Sequence, residues 1–173
     1  MSDLILTLIG PDRPGIVEAI AEPIARHGGN WLESRMAHLA GKFAGILRIE
    51  VPAGREAALT AALRALEATQ LKLTIETGPA QAPVPGARAF VLELMGLDRP
   101  GIVREISHAL AERSVNIEEL TTDRTTAPMS GELLFRSRAL ITIPPGMDPE
   151  RLRERLEELA SDLMVQVTLA EPE

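Results

Sequence analysis

GPDRPGIV at residues 10–17 and GLDRPGIV at residues 96–103 are two copies of one turn, 86 residues apart. We call them the first turn and the second turn. The register continues past the turns without a gap, so that Asn30 aligns with Asn116. A repeat of this length exceeds the units of about 20–50 residues that build solenoids. The chain therefore contains a duplicated domain.

The segment between the copies, residues 78–86, is rich in proline, alanine and glycine and has no apolar periodicity. Such a composition is typical of a semi-stiff linker. We predict an amino-terminal domain at residues 1–78, a linker at 79–87 and a second domain at 88–173.

Apolar periodicity predicts the same order of elements in both copies, βαββαβ. In the first copy the elements are predicted at Leu4–Ile9, Ile16–Ile24, Asn30–Met36, Phe43–Val51, Ala57–Leu66 and Leu71–Ile75. In the second copy they are predicted at Phe90–Met95, Pro100–Arg113, Val115–Asp123, Ser137–Ile143, Asp148–Ala160 and Met164–Leu169.

This order is typical of an α+β, ferredoxin-like sandwich with an antiparallel sheet and both helices on one face. The other sheet face is left for a second unit to cover, and the tandem supplies one.

Two helix ends and one loop have local signals. Pro23 is expected to distort the first helix and His27–Gly29 to end it, while Asp148 with Pro149 starts the last helix. Residues 124–132 form a longer, polar loop in the second copy, of a kind that reaches over a neighbouring surface.

The charge balance argues against direct contact with nucleic acid. The chain carries 25 acidic and 18 basic residues, a formal net charge of -7. Its densest basic run, Arg151, Arg153 and Arg155, alternates with glutamates and is expected to be a solvated, self-paired helix face. The sequence has no cysteine, no secretory signal and no apolar run of membrane-spanning length. We expect a cytoplasmic protein.

The duplicated turn is the main chemical feature. Proline at positions 14 and 100 sets the backbone where a helix begins, and Gly15 and Gly101 leave the first amides of that helix uncovered. Free amides at the positive end of a helix bind carboxylates and other small anions. Asp12 and Asp98 precede this point, and capping of the helix is the favoured interpretation, although a ligand ammonium is a compatible partner. An amino acid carries both groups.

Asn30 and Asn116 follow the first helix of each copy. Asparagine is common in turns, and a turn role is one interpretation. The other is an amide that hydrogen-bonds a ligand across a domain interface.

On these features the chain resembles tandem ACT domains, which are regulatory amino-acid-binding modules. Three stretches make it more specifically similar to the glycine cleavage system transcriptional repressor group: NWLESRMA at residues 30–37, FAGIL at 43–47 and APMSGE at 127–132. The resemblance covers nearly the whole chain.

The resemblance implies a small amino acid, glycine among the candidates, held between the first turn of one domain and the start of the second strand in a paired domain. It implies control of transcription through contact with a DNA-binding activator of the LysR type, not through DNA itself. The candidate ligand residues are Asp12, Gly15, Ile16, Asn30, Asp98, Gly101, Ile102 and Asn116.

Three other functions are compatible with a small α+β protein to different degrees. An enzyme is disfavoured because His27, His38 and His108 are scattered, and no nucleophile, metal-ligand or nucleotide-binding motif accompanies them, so no catalytic residue and no cofactor is expected. An RNA-binding domain of the same element order needs exposed aromatic residues, and aromatic residues make up only 2% of the chain. A free-standing amino-acid sensor for a metabolic enzyme or transporter stays open. The exposed sheet edges are compatible with a homodimer as well as a monomer.

Overall fold

A computed structural model describes residues 1–79 and 81–173 of the chain. Ala80, part of the predicted linker, lies outside the described residues. The chain divides into two compact units, Met1–Gln81 and Ala82–Glu173. The domain limits 1–78 and 88–173 stay a prediction.

The first unit has the predicted βαββαβ order, with one added turn of 3-10 helix at Ala65–Thr69. The elements are β1 (Ser2–Pro11), α1 (Ile16–Arg26), β2 (Asn30–Leu39), β3 (Lys42–Val51), α2 (Glu56–Arg64) and β4 (Lys72–Thr77). The four strands form an antiparallel sheet in the order β2-β3-β1-β4.

The elements of the second unit are β5 (Arg88–Leu97), α3 (Ile102–Ala111), β6 (Asn116–Thr126), β7 (Leu133–Ile143), α4 (Pro149–Leu163) and β8 (Val165–Ala170). They repeat the topology of the first unit in a separate antiparallel sheet with the order β6-β7-β5-β8. The predicted fold class, two α+β ferredoxin-like domains, is confirmed.

Strict alternation along the central strand β1 decides which sheet face the helices cover. Leu4, Leu6 and Leu8 are at most 1% exposed, whereas Ile9 on the opposite face is 45% exposed. Because successive side chains of a strand point to opposite faces, the three leucines pack under the helices. They meet a helical stripe of isoleucines, among them Ile20. Each such burial contributes about 1.5–3 kcal/mol.

Several predicted element ends were wrong. Helix α3 begins at Ile102 and not at Pro100, and β8 begins at Val165 because Met164 adopts a left-handed backbone with φ of 56°. Strands β6 and β7 are longer than predicted, so the loop between them spans only residues 127–132. The hairpin hydrogen bond from Ala127 N to Glu132 O, at 2.8 Å, closes this loop.

The predicted end of α1 and the predicted start of α4 are confirmed. Helix α1 continues through Pro23 to Arg26, and His27 follows as its carboxyl-terminal cap. The His27 Nδ1 atom lies 2.7 Å from the Pro23 carbonyl oxygen. Asp148 caps α4, accepting a hydrogen bond from the Glu150 amide at 3.0 Å. Across residues 1–79 and 81–173, none of the helices has the length and apolar character needed to cross a membrane.

Candidate functional site

The first and second turns are tied to their sheets in the same way. In the first unit the Asp12 amide donates to the Gly41 carbonyl at 2.9 Å, and in the second the Asp98 amide donates to the Leu133 carbonyl at 2.8 Å. Each acceptor lies in or beside the hairpin formed by the second and third strands of its unit. The turn backbone is therefore fixed against the hairpin before the helix begins.

Gly15 and Gly101 immediately precede α1 and α3 and have φ values of 87° and 97°. This is the left-handed region, which side chains with a Cβ atom disfavour. A Cβ atom at either position meets nothing within 4 Å. Glycine is required here by backbone handedness and not by close packing of the helix against a strand.

Close packing is instead the role of Gly10 and Gly96, the first residues of the two turns. A Cβ atom on Gly10 would lie 2.7 Å from the Leu71 side chain and 3.0 Å from the Gln70 carbonyl oxygen. On Gly96 it would lie 2.7 Å from Val165 Cα and 2.6 Å from the preceding carbonyl oxygen. The repeated glycine lets the last strand of each unit begin directly against the central strand. The repetition of this glycine at positions 10 and 96 was the sequence signal for the close strand packing.

The expected capping by Asp12 and Asp98 is wrong. Glycine occupies the cap position of both helices, and no side chain caps either one. Proline likewise stands two residues before each helix and not at its first position. Since the first amides of a helix have no partner within it, the starts of α1 and α3 present uncapped donors at the positive end of the helix dipole.

The two turn aspartates face basic side chains that sequence analysis had not singled out. The Asp12 carboxylate lies 3.6 Å from His38 Nε2, and the Asp98 carboxylate lies 2.8 Å from Arg124 Nε. Positions 38 and 124 are themselves 86 residues apart. They occupy equivalent places near the ends of β2 and β6. The same 86-residue offset, extended to positions 38 and 124, would have identified these two partners from the sequence.

Ile16 and Ile102 begin the two helices, and both side chains lie in the core, at 3% and 2% exposure. Neither side chain is available to a ligand in solution. Only the backbone amides of these residues can take part in binding, which fits an anion contact at the helix start.

Asn30 and Asn116 are exposed and are the first residues of β2 and β6. They pair with Glu50 and Thr142 on the neighbouring strands, so the turn interpretation is wrong. A β-bulge follows two residues later in both copies. The Asn116 side chain donates through Nδ2 to Glu118 Oε1 at 2.6 Å.

A depression of about 810 Å³ surrounds the second turn. It brings together three of the four candidates of the second unit, Asp98, Gly101 and Ile102, with Arg99, Arg104, Thr122, Asp123, Arg124 and Phe135. The fourth, Asn116, instead lines a separate depression of about 550 Å³ along α3. Within one unit the asparagine and the turn thus belong to different surfaces.

Asp123 at the rim of this depression is held in its charged form. Arg136 donates to both of its carboxylate oxygens, at 3.2 and 3.0 Å. These hydrogen bonds, together with the positive charge of the guanidinium, lower the pKa of Asp123. The Asp123 charge therefore persists at neutral pH but is compensated by Arg136.

Within the described residues, the aromatic and basic side chains are not arranged as a nucleic-acid site, and the acidic and histidine side chains are not arranged as a metal site. Trp31 is partly buried against the core and donates to Ser34 Oγ at 3.2 Å, as expected for a filler residue and not for a stacking platform. Arg153 and Arg155 pair with glutamates of their own helix. In residues 1–79 and 81–173, no three histidine, aspartate or glutamate side chains are grouped as metal ligands.

Comparison with known proteins gives concordant results. Residues 2–78 match the model of the ACT domain. The glycine cleavage system transcriptional repressor of Escherichia coli (strain K12) is 25% identical over 169 residues, covering 94% of this chain and 86% of that protein.

Two crystal structures share the fold along their whole length. A protein of unknown function from Galdieria sulphuraria has a TM-score of 0.88 and 26% identity, with 99% of each chain covered. A structure provisionally assigned as a glycine cleavage system transcriptional repressor has a TM-score of 0.74 and 20% identity, with 99% of this chain and 98% of that chain covered.

The ACT match covers the first unit, the second unit repeats its topology, and the overall alignments extend across both. Residues 2–78 match the ACT domain, and the chain as a whole resembles the glycine cleavage system transcriptional repressor.

Proposed function

We propose that the chain senses a small amino acid and controls transcription indirectly, through contact with a DNA-binding activator. The ligand binds at the duplicated turn, and glycine is a candidate because the relative in Escherichia coli is a repressor of the glycine cleavage system. The protein acts without catalysis and in the cytoplasm. This proposal extends the ACT relationship to a ligand class and a mode of action.

The observation that carries the proposal is the uncapped start of α1 and α3. Both helices lack a side-chain cap, and a glycine with no neighbour near its Cβ position leaves the approach open. The ligand carboxylate accepts hydrogen bonds from the helix amides, and the turn aspartate accepts a hydrogen bond from the ligand ammonium. The candidate contacts are the carboxylates of Asp12 and Asp98, the amides at Gly15, Ile16, Gly101 and Ile102, and the side chains of Asn30 and Asn116.

Charge supports protein contact over DNA contact. The net charge is -7, and two arginines of α4, Arg153 and Arg155, pair with glutamates of the same helix. Attraction to phosphates by counterion release needs unpaired cations. A regulator of this composition reaches a promoter through a partner, and a LysR-type activator is the partner we propose.

A thermal-shift panel of the twenty amino acids tests the ligand. Ligand at a hundredfold excess over its Kd adds about 2.7 kcal/mol to the free energy of unfolding. We expect at least one small amino acid at millimolar concentration to raise the Tm by several degrees. If all twenty leave the Tm unchanged, the sensor proposal fails.

Affinity purification from the native cell tests the partner. Recovery of a LysR-type regulator, with a yield that changes when the identified amino acid is added, supports indirect transcriptional control. Recovery of a metabolic enzyme or transporter instead would assign the chain to the alternative, a free-standing sensor. Binding of the purified chain alone to promoter DNA at physiological salt would contradict both.

A further inference from the structure

The core of the second unit contains a small cavity that is separate from the second turn. The cavity has a volume of about 20 Å³ and lies between α3 and the sheet. Helix α3 contributes Ile106 and Leu110 to its wall, and β5 and β7 contribute Leu92 and Phe135. The turn residues 98–101 are not part of the wall. We call this space the α3 cavity.

The first unit has larger side chains at the equivalent place. Leu47 and Ala139 pair with the same position of the central strand in their sheets and are therefore equivalent. Trp31 and Ile117 are equivalent in the same way, by their pairing with the third strand of each unit. Leu47 and Trp31 belong to or pack against the first core, whereas Ala139 and Ile117 line the α3 cavity. The two smaller side chains account for part of the space in the second core.

A third pair of positions adds a hydroxyl group to this place. In the first unit Met36 pairs with Gly45, and a Cβ atom on Gly45 would collide with the Met36 side chain. In the second unit the equivalent pair is Thr122 and Ser137, and Thr122 is exposed. The second unit therefore has a serine hydroxyl where the first unit has the side chain of a methionine.

Ser137 is the polar group of the α3 cavity that lacks a partner. Its side chain is 8% exposed, and no other polar residue within 1–79 and 81–173 is buried to this degree. It lies on the same face of β7 as Phe135 and Ala139, since alternate residues of a strand share a face. No hydrogen bond joins the Ser137 hydroxyl to another described residue. Because every fully enclosed side-chain oxygen of the described residues has a partner, this hydroxyl borders the open space of the cavity.

A water molecule alone is a poor occupant for this cavity. About 20 Å³ holds one water or one methyl-sized group, but a buried water makes about three hydrogen bonds. The other serine of the wall, Ser107, donates its hydroxyl to the Arg104 carbonyl at 3.1 Å. All remaining side chains of the wall are apolar, so Ser137 supplies one partner where a water needs several. A charged group is excluded because its desolvation is not compensated here.

We propose that the α3 cavity binds a small neutral molecule with an aliphatic skeleton and one hydroxyl or carbonyl oxygen. The oxygen forms a hydrogen bond with the Ser137 hydroxyl inside the cavity. The aliphatic part lies against Val103 and Leu120, the most exposed residues of the wall at 44% and 47%. Aliphatic side chains of a partner protein carry no oxygen and would leave Ser137 unpaired, which favours a small molecule as the occupant. The site is distinct from the proposed amino-acid site, because a zwitterion would bury two charges in it.

Methyl NMR of the full chain at pH 7 tests this proposal with 2-methylpropan-1-ol as the probe. We expect the methyl signals of Ile106 and Leu110 to shift on titration, with a Kd in the millimolar range. The signals of Ile20 and Ile24, at the equivalent places of the first unit, are expected to stay unchanged. The carboxylate 2-methylpropanoate has the same carbon skeleton but carries a charge, so we expect no shift with it. Absence of a shift with the alcohol, or equal shifts in both units or with both probes, would overturn the proposal.

Two substitutions separate filling of the cavity from loss of its hydroxyl. Ala139→Leu copies Leu47 of the first unit and is expected to abolish the shifts. Ser137→Ala keeps the space but removes the oxygen, and is expected to weaken binding of the alcohol about fivefold. Ala89→Leu is the matched control for the first substitution. It adds the same side chain at an exposed position of β5 and is expected to leave the Kd unchanged.

The two variants have distinct contradicting outcomes. An unchanged Kd in the Ala139→Leu protein would place the probe outside the cavity, and an unchanged Kd in the Ser137→Ala protein would refute the role of the hydroxyl. Because Ser137→Ala deletes a single oxygen, it decides the question even if circular dichroism shows that the Ala139→Leu protein does not fold. The thermal-shift panel of amino acids is a separate measurement, so its failure would refute the sensor function and leave this site in place.

Discussion

Replacing Gly15 by alanine tests the left-handed backbone at the start of α1. With φ at 87° and open space around the Cβ position, the cost comes from conformation alone. We expect a loss of about 1–2 kcal/mol in the free energy of unfolding of the first unit. Chemical denaturation of the full chain measures it.

Gly78→Ala is the control for this substitution, since a Cβ there also meets nothing within 4 Å and its φ is not positive. It is expected to change stability by less than about 0.5 kcal/mol. Equal effects of the two substitutions would contradict the handedness argument.

The Asp123–Arg136 pair predicts a pH-dependent effect. Because hydrogen bonds from Arg136 lower the pKa of Asp123, its contribution is present above the ordinary aspartate pKa and is lost as the pH falls through the folded-state value. We expect Arg136→Leu to raise the pKa of Asp123, as measured by NMR titration of its side-chain carbon. Both side chains are about half exposed, so any stability difference is small and shrinks in acid. An unchanged pKa would show that the pair does not persist in solution.

Single residues also show how far sequence reasoning reaches. The sequence repeat identified the two turns and the aligned Asn30 and Asn116, because identical residues at one offset can be recognised without a structure. It did not reveal that Asp12 and Asp98 leave the two helices without a side-chain cap. Asp, Pro and Gly before a helix fit a cap equally well, and only three-dimensional geometry places the partners at His38 and Arg124.

At the scale of elements, α4 offers a test of its start signal. Asp148→Ala removes the side-chain acceptor for the Glu150 amide and is expected to destabilise the second unit by about 1 kcal/mol. Asp162→Ala, an exposed change near the other end of the same helix, is the control. It is expected to be neutral or slightly stabilising, since it removes a negative charge from the negative end of the dipole. Equal losses would contradict the capping role.

Element type was predictable, but element ends were less so. Alternation along β1 and the isoleucine spacing of α1 leave little choice of structure, because each pattern buries one complete face. The end of β6 was missed because residues 124–126 are polar on both sides of an edge hairpin. Hydrogen bonding to the neighbouring strand extends β6, whereas the missed start of β7 includes Phe135, which is buried in the core.

At the scale of the whole molecule, each unit has its own hydrophobic core. The buried clusters contain residues of one unit only, and Ile49 and Ile141 occupy equivalent central places in them, each 0% exposed. Ile49→Ala is expected to cost about 2–5 kcal/mol and to accelerate hydrogen exchange in the first unit, while Ile141→Ala does the same in the second. Mass spectrometry of exchanged peptides reads out both. Equal acceleration throughout the chain in either variant would mean that the two cores unfold as one.

The left-handed glycines have a consequence for chemical synthesis. A D-amino acid prefers the mirror-image backbone, which is the left-handed conformation that Gly15 adopts, with φ of 87°. D-alanine introduced at this position by peptide ligation is therefore expected to match or exceed glycine in stability, because it restricts the unfolded chain without straining the folded one. At Gly10, whose φ is not positive, a D-residue would have no such conformational advantage.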